Sequence, residues 1–277
     1  MPPINFQNPI GVFDSGVGGL SVLRAIRGQM PEESVVYFGD QGHVPYGPRP
    51  MEQIQSFSEG ITRFLIGQQA KIIIVACNTA SAAALKYLRT KFPQISFVGM
   101  EPAVKPAAEH TETGVVAVLA TPATFQGALY ASVVERFAAG VELLQNTCPG
   151  LVQQIEKGDL DGTQTRKILE DALNPMLEKN IDTVVLGCTH YPFVIPLIEQ
   201  IVGDKVRVID PAPAVARQAK RLLEAGGLKS PNGAGADVRY FTSGPAEAMK
   251  NLLPKLLGEN GIVQPVVWLD DHTVKSK

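Results

Sequence analysis

Ile72-Ile-Ile-Val-Ala-Cys77-Asn-Thr79 and Thr183-Val-Val-Leu-Gly-Cys188-Thr-His190 share one pattern: an apolar run, a small residue, a cysteine, and two polar side chains that open a helix. An apolar run without alternation is how a strand buried on both faces reads, and parallel sheets are built from such strands. The two cysteines stand 188 − 77 = 111 residues apart. A second echo lies upstream of each: 10–19 and 115–124 both read as an apolar strand followed by a polar turn into a helix. The chain therefore reads as two related α/β halves. In open α/β sheets ligands sit beyond the carboxyl ends of the strands, so two such halves facing each other would bring Cys77 and Cys188 to opposite walls of one cleft.

Outward from these stretches, short strand-like runs alternate with amphipathic helix-length segments along the whole chain. Strands are expected at 10–13, 34–39, 71–76, 114–119, 141–146, 183–186 and 206–209. The spacing predicts helices at 20–28 (closed by Gly28), 51–69, 80–91, 123–138, 151–157, 162–180 and 193–202, and one running to 225. Residues 2–9 read as a lead-in and 99–102 as a crossover, 226–236 as a Gly/Pro/Asn-rich loop, and a final strand and helix complete the chain. The expected architecture is α/β: two pseudo-symmetric domains, each a mostly parallel sheet flanked by helices, with the active site in the cleft between them. The domains are expected at 1–99 plus 210–277 and at 100–209.

The 277 residues are 45% hydrophobic and 19% charged, and Lys plus Arg against Asp plus Glu gives 25 − 27 = −2. That composition supports cored domains and excludes disorder, collagen and a disulfide-stapled mini-protein. A balance near zero without a basic cluster leaves no electrostatic footprint for nucleic acid or an anionic membrane, so a small-molecule substrate is expected. No signal-peptide pattern and no run of about 18 apolar residues is present, which points to the cytoplasm. Three cysteines, Cys77, Cys148 and Cys188, are an odd number for a disulfide framework and read as thiols.

A cysteine between a strand and a helix sits where free amides and the helix dipole favour its thiolate, which is one way to make a base. The plain alternative is a packed, inert cysteine, and Cys148, which lacks the matching context, reads that way. Asp14 and Ser15 end the first strand, where they serve either as acid-base and carboxylate-binding groups or as helix caps. The following Gly16-Val-Gly18-Gly19 does not fit G-x-G-x-x-G, since position 21 is Ser21, and no P-loop lysine follows. His190, two residues past Cys188, can lower a thiol's pKa or relay its proton. Glu156 reads from spacing alone as a solvated helix face, and Pro45-Tyr46-Gly47 as either a cover over the cleft or an ordinary turn. Four histidines and three cysteines without C-x-x-C or H-x-x-x-H spacing leave no zinc site.

Taken together, Gly11-Val-Phe-Asp14-Ser15-Gly-Val-Gly-Gly19, Asp40 through Pro45-Tyr46-Gly47, Ala76-Cys77-Asn78-Thr79-Ala80, Gly187-Cys188-Thr189-His190-Tyr191-Pro192 and a closing Phe241-Thr242-Ser243-Gly244 resemble the motifs of the glutamate racemases, in that family's order. The paired cysteines are the mark of the cofactor-independent amino-acid racemases. The resemblance implies interconversion of L- and D-glutamate without pyridoxal phosphate or metal, supplying D-glutamate for peptidoglycan. It implies that Cys77 takes the α-proton of D-glutamate with help from Asp14. Cys188 would take that of L-glutamate with help from His190 and, through the looser 148–156 segment, Glu156. Ser15, Tyr46, Gly47, Asn78, Thr79, Thr189 and His190 would hold substrate, along with Asp14. Gly42-His43-Val44 departs from the family's pattern, and His43 receives no role. The family includes homodimers, so a homodimer is an expected state.

The residues fit such chemistry on their own terms. Inverting a carbon needs a base on one face and an acid on the other, because a single group returns the proton to the side it left. Without an Arg fork in these motifs, the substrate's carboxylates fall to amides at helix starts and to Ser, Asn and Thr. The alternatives are an aspartate or other amino-acid racemase, a thiol-disulfide protein using Cys77 and Cys188, and a two-lobed binding protein without catalysis.

Overall fold

The computed structural model describes residues 4–231, 236–270 and 272–276. In chain order the elements are β1 (Ile10–Asp14), α1 (Leu20–Gln29), β2 (Val35–Gly39), α2 (Met51–Gly67), β3 (Ile72–Val75), α3 (Asn78–Lys91), β4 (Phe97–Val98), α4 (Val104–His110), β5 (Val115–Ala120), α5 (Pro122–Gln126), α6 (Ala128–Phe137) and β6 (Glu142–Asn146). They continue with α7 (Leu151–Glu156), α8 (Thr163–Leu177), β7 (Thr183–Gly187), a 3-10 turn (Tyr191–Val194), α9 (Ile195–Val202), β8 (Arg207–Ile209), α10 (Ala212–Ala225), β9 (Val238–Thr242), α11 (Ala246–Leu257), β10 (Val263–Asp270) and β11 (Thr273–Ser276). Contacts divide the chain into two compact units, Met1–Met100 with Ala212–Lys277, and Glu101–Pro211.

The first unit holds a seven-stranded sheet in the order β11-β10-β9-β2-β1-β3-β4, parallel except for the terminal β10–β11 pair. The second holds four parallel strands in the order β6-β5-β7-β8. The run β2-β1-β3-β4 in one sheet has the same sequence logic as β6-β5-β7-β8 in the other, with β1 matching β5 and β3 matching β7. The central strands are covered on both faces: every residue of β1, β3 and β7 is buried. That is why they read as unbroken apolar runs instead of alternating ones.

Several boundaries differ from the sequence pattern for local reasons. Gly28 lies inside α1, which runs to Gln29 and is capped by Met30. Residues 123–138 form two helices because Gly127 takes an extended backbone between them. The helix expected at 193–202 begins as a 3-10 turn, where Pro192 and Pro196 each remove a backbone donor. β4 and α4 are too short to show a period, with two and seven residues. The chain does not end in a strand and helix but goes on to a hairpin, β10 and β11. Of the loop at 226–236, residues 232–235 lie outside the described part of the chain, as do residues 2 and 3 of the lead-in.

The two ends of the first sheet are built differently. At the amino ends of its strands, buried Lys71 donates from Nζ to Glu33 Oε2 at 2.5 Å and to the Phe6 carbonyl at 2.7 Å, while Ser230 N–H donates to Glu33 Oε1 at 2.8 Å. Burial lowers the Lys71 pKa against the pull of Glu33. A buried pair so fully bonded ties four segments together at one point.

Helix α3, which starts directly after Cys77, is held to α2 by a second ionic cluster. Glu59 of α2 accepts from Arg63 Nη2 at 2.9 Å, from Lys91 Nζ at 2.6 Å and from the Tyr87 hydroxyl. Burial alone would raise its pKa, but the three donors outweigh that and bring it down to about 2 from 4.5. A depressed carboxylate stabilises the fold above its unfolded pKa and loses that contribution as pH falls through the folded value. At 1.36 kcal/mol per unit, the shift corresponds to about 3 kcal/mol. Glu59→Gln is therefore expected to lower stability at pH 7 by roughly that amount. The difference from the native chain should close as pH falls from 4.5 toward 2, which thermal unfolding across pH measures.

Candidate active site

In the first unit the chemistry gathers at the carboxyl ends of the strands. Asp14 closes β1 and is fully buried; the turn after it folds back so that Gly19 N–H donates to Asp14 Oδ2 at 2.8 Å and Gly16 N–H at 3.3 Å. Gly19 has to be glycine, since a Cβ there would lie 2.8 Å from Asp14 Cβ and 3.1 Å from Ala76 Cβ. Ser15 Oγ stands 3.5 Å from Asp14 Oδ1 and 3.8 Å from Cys77 Sγ.

Cys77 caps α3. Its backbone is extended, and its Sγ accepts from Ala80 N–H at 3.4 Å. The sulfur thus stands where the free amides and positive end of a 14-residue helix are concentrated. Asn78 and Thr79 begin that helix and are buried. Asn78 is 3% exposed, and among the described residues neither its Oδ1 nor its Nδ2 has a hydrogen-bond partner. A buried amide left in this state is costly unless something polar meets it.

Tyr46, in the loop after β2, is buried, and its hydroxyl donates to Asp40 Oδ2 at 2.6 Å. Burial, then Asp40, then Cys77 and Asp14 push its pKa well above the ordinary phenol value, so the phenol is neutral and stands among these acidic groups. Gly47 follows, partly exposed, in the same loop.

In the second unit Cys188 follows directly on β7. The strand end is close-packed: a Cβ on Gly187 would lie 2.7 Å from Ala120 Cβ across the β5–β7 pair. Cys188 Sγ lies 3.8 Å from His190 Nδ1, and His190 Nε2 lies 2.7 Å from Glu156 Oε1. Glu156 ends α7 and is mostly buried, so the solvated-face reading of this residue is corrected: its side chain turns inward to the imidazole. Burial works against a charged His190, but its bonds to Cys188 and to Glu156 prevail and hold its pKa well above 6.5. Thr189 between them is buried as well.

Two further residues of this unit bear on the site: Tyr191, to which the sequence reading gave no role, and Cys148, which it read as a packed, inert thiol. Tyr191 is fully buried, donates to the Thr147 carbonyl at 3.2 Å, and is kept neutral by burial and by Cys188 and Cys148. Cys148 sits in a left-handed turn with φ of +42°, its N–H held by Asn146 Oδ1 at 2.8 Å. Burial foremost, and then Cys188, push its thiol up to about 12, which makes it an inert packing group. In the sequence only the glycine at 150 hinted at the turn that aims α7, and with it Glu156, at His190.

The structure thus brings Asp14, Ser15, Tyr46, Cys77, Asn78 and Thr79 to one sheet end in the first unit, and Glu156, Cys188, Thr189 and His190 to one sheet end in the second. Among the described residues no group of three or more His, Cys, Asp or Glu side chains is arranged to hold a metal ion. All three cysteines are free. A sulfur just past a strand terminus, with a proton-handling side chain behind it, recurs in each of two topologically equivalent units, an arrangement that can do acid-base chemistry.

Comparison with known proteins says which. The Asp/Glu/Hydantoin racemase family model matches residues 20–219. A glutamate racemase of Pseudomonas aeruginosa is 51% identical over 249 residues, 90% of this chain and 94% of that protein. The crystal structure of the glutamate racemase isoform RacE1 from Bacillus anthracis is similar with a TM-score of 0.84 and 32% identity, covering 97% of this chain and 100% of that one. That of the Francisella tularensis enzyme in complex with D-glutamate gives 0.81 and 29% over 95% and 98%. The chain belongs to the Asp/Glu/Hydantoin racemase family. Within it the chain is an isomerase of the glutamate racemase kind.

The Glu156–His190 pair has a direct test. In an NMR titration the His190 imidazole should titrate well above 6.5 in the native chain, and Glu156→Gln, which keeps the shape but removes the charge, should lower that pKa. A raised histidine stabilises the fold fully below its unfolded pKa and loses that contribution as pH rises through the folded value, so the stability cost of Glu156→Gln should shrink on the alkaline side.

Proposed function

We infer that the glutamate racemase activity of this chain runs through two thiols, Cys77 and Cys188, with one sulfur assigned to each face of the substrate's α-carbon. The observation that carries this reading is the recurrence of a cysteine just past a buried central strand in both sheets, each with its own acid-base partner. In one direction the Cys77 thiolate takes the α-proton of D-glutamate. The electron pair left on carbon is shared with the α-carboxylate, and the Cys188 thiol delivers its proton to the other face, becoming the thiolate. L-Glutamate reacts by the same steps in reverse, with Cys188 as the base.

Asp14 assists Cys77 through the Ser15 contact, and His190, charged by Glu156, assists Cys188. A thiol of ordinary pKa, about 8.5, is far more acidic than an amino acid's α-carbon, so proton transfer alone does not lower the barrier enough. The larger part falls to groups aimed at the charge that develops. For these the proposal names Ser15, Tyr46, Gly47, Asn78, Thr79, Thr189 and His190, with Asp14 on the substrate's ammonium. Asn78 supports the assignment best, because its buried amide has unused donors and an unused acceptor. The helix-start amides beside Cys77 suit a carboxylate. All of these groups are the protein's own, so no cofactor enters the scheme.

D-Glutamate made this way supplies peptidoglycan. A cytoplasmic setting belongs to the same proposal, since the reaction needs both sulfurs as thiols and all three cysteines are free. Among the described residues no helix is long and apolar enough to cross a membrane.

Cys77→Ser and Cys188→Ser should each reduce racemisation by at least about a hundredfold, the scale of a lost general base. Loss of optical activity from either enantiomer of glutamate, followed by circular dichroism with no cofactor added, measures it. Native rates in either variant would contradict the assignment.

A further inference from the structure

The loop that carries Tyr46 and Gly47 is tied to a part of the chain that the motifs leave without a role. Asp40, at the end of β2, is completely buried and gathers donors from three separate segments. Tyr46 hydroxyl meets its Oδ2 at 2.6 Å, Ser243 hydroxyl its Oδ1 at 2.6 Å, and the indole Nε1–H of Trp268 its Oδ1 at 2.9 Å. His43 Nδ1 lies 3.0 Å from Oδ2. Trp268 comes from β10 in the C-terminal hairpin, 228 residues from Asp40, and is the single tryptophan of the chain.

The partly buried indole is held by ring contacts and by α2. It packs edge-on to His43 at 5.4 Å and against Phe57 at 5.5 Å, while His43 stacks flat on Phe57 at 4.1 Å and Tyr46 lies 5.8 Å from the same ring. On its helix side α2 makes room with Gly60, where a Cβ would lie 2.6 Å from the indole ring and 2.8 Å from the His272 carbonyl. The aromatic faces therefore fix the ring plane, and the N–H is aimed at one carboxylate oxygen. A donor so placed matters most where its acceptor is buried, because Asp40 cannot turn to water for a replacement.

We propose that Trp268 is a positioning residue for the substrate loop: through its bond to Asp40, the C-terminal hairpin sets where Tyr46 and Gly47 stand. His43 is the second clamp, its ring closing the stack between Phe57 and Trp268. The proposal rests on the reading that Tyr46 and Gly47 hold substrate. The effect falls on binding of glutamate and leaves the sulfur chemistry of Cys77 and Cys188 untouched.

Trp268→Phe keeps a flat ring and removes the donor; Gly60→Ala keeps the indole and Asp40 but pushes the ring from the far side. Both should raise KM for glutamate by roughly three- to tenfold, the net scale of one ordinary intramolecular hydrogen bond, with kcat within about twofold of native. In an Asp40→Ala background, which has no acceptor for the indole, Trp268→Phe should add no further rise, because Asp40 is the intermediary. A merely structural tryptophan would lower the unfolding temperature and leave KM alone, so thermal unfolding is recorded on each variant. Should Trp268→Phe fail to fold, Gly60→Ala carries the test. An unchanged KM in the folded variants overturns the proposal while the native chain still racemises glutamate; a native chain without racemisation would instead overturn the functional reading.

Discussion

Everything chemical in this molecule depends on where a buried parallel strand stops. A strand covered on both faces has its backbone fixed by the ladders on either side, so the residues just past its end are placed as firmly as the core. When one of them is a cysteine that caps a helix, the sulfur gains the helix's free amides without any special loop. Cys77 shows this directly through its bond from Ala80 N–H. Cys188 comes directly after β7, where the close approach of Gly187 to Ala120 leaves the strand end no slack, and a turn separates it from the 3-10 turn at Tyr191–Val194.

Equivalent position does not bring equivalent surroundings. In the first unit Cys77 and two buried carboxyl side chains, Asp14 and Asp40, act on the Tyr46 phenol and, with its burial, hold it neutral. Beside Cys188 stands an imidazole whose pKa is raised, against burial, by its bonds to Cys188 and to Glu156. A reaction that treats two mirror-image substrates needs both faces served, yet each sulfur has its own proton partner, built from the loops that each half could vary independently. The fold supplies the repeat, and the loops supply the difference. The opposite end of the first sheet, closed by Lys71 and Glu33, carries no such variety.

Much of this was legible in the sequence because the same physics writes both. Ile72-Ile-Ile-Val and Thr183-Val-Val-Leu are apolar without alternation because their strands are covered twice, and the recurrence of cysteine after each exposed the repeat. What stayed hidden lacks a local signal. Glu156 looks like any polar helix residue until a left-handed turn at Cys148 aims α7 at His190. The bond between Trp268 and Asp40 joins residues too far apart for any periodicity to pair them. His43, outside the recognised motif, turns out to stack on Phe57 and to meet Asp40. β4 and α4 were missed because elements so short show no period, and the final hairpin because the alternation of strand and helix suggested an ending in helix.

The claim beneath the mechanism is that the proton leaves one face and a different proton arrives at the other. Converting D-glutamate in deuterated water to a few per cent of product, and then reading the α-position of both enantiomers by mass spectrometry, tests it most directly. Deuterium in the L-glutamate formed, with the recovered D-glutamate still protiated, is the expected result, and the reverse reaction should mirror it. Deuterium entering both enantiomers at equal rates, or a product that keeps its protium, would mean that a single group serves both faces and would contradict the two-thiol scheme.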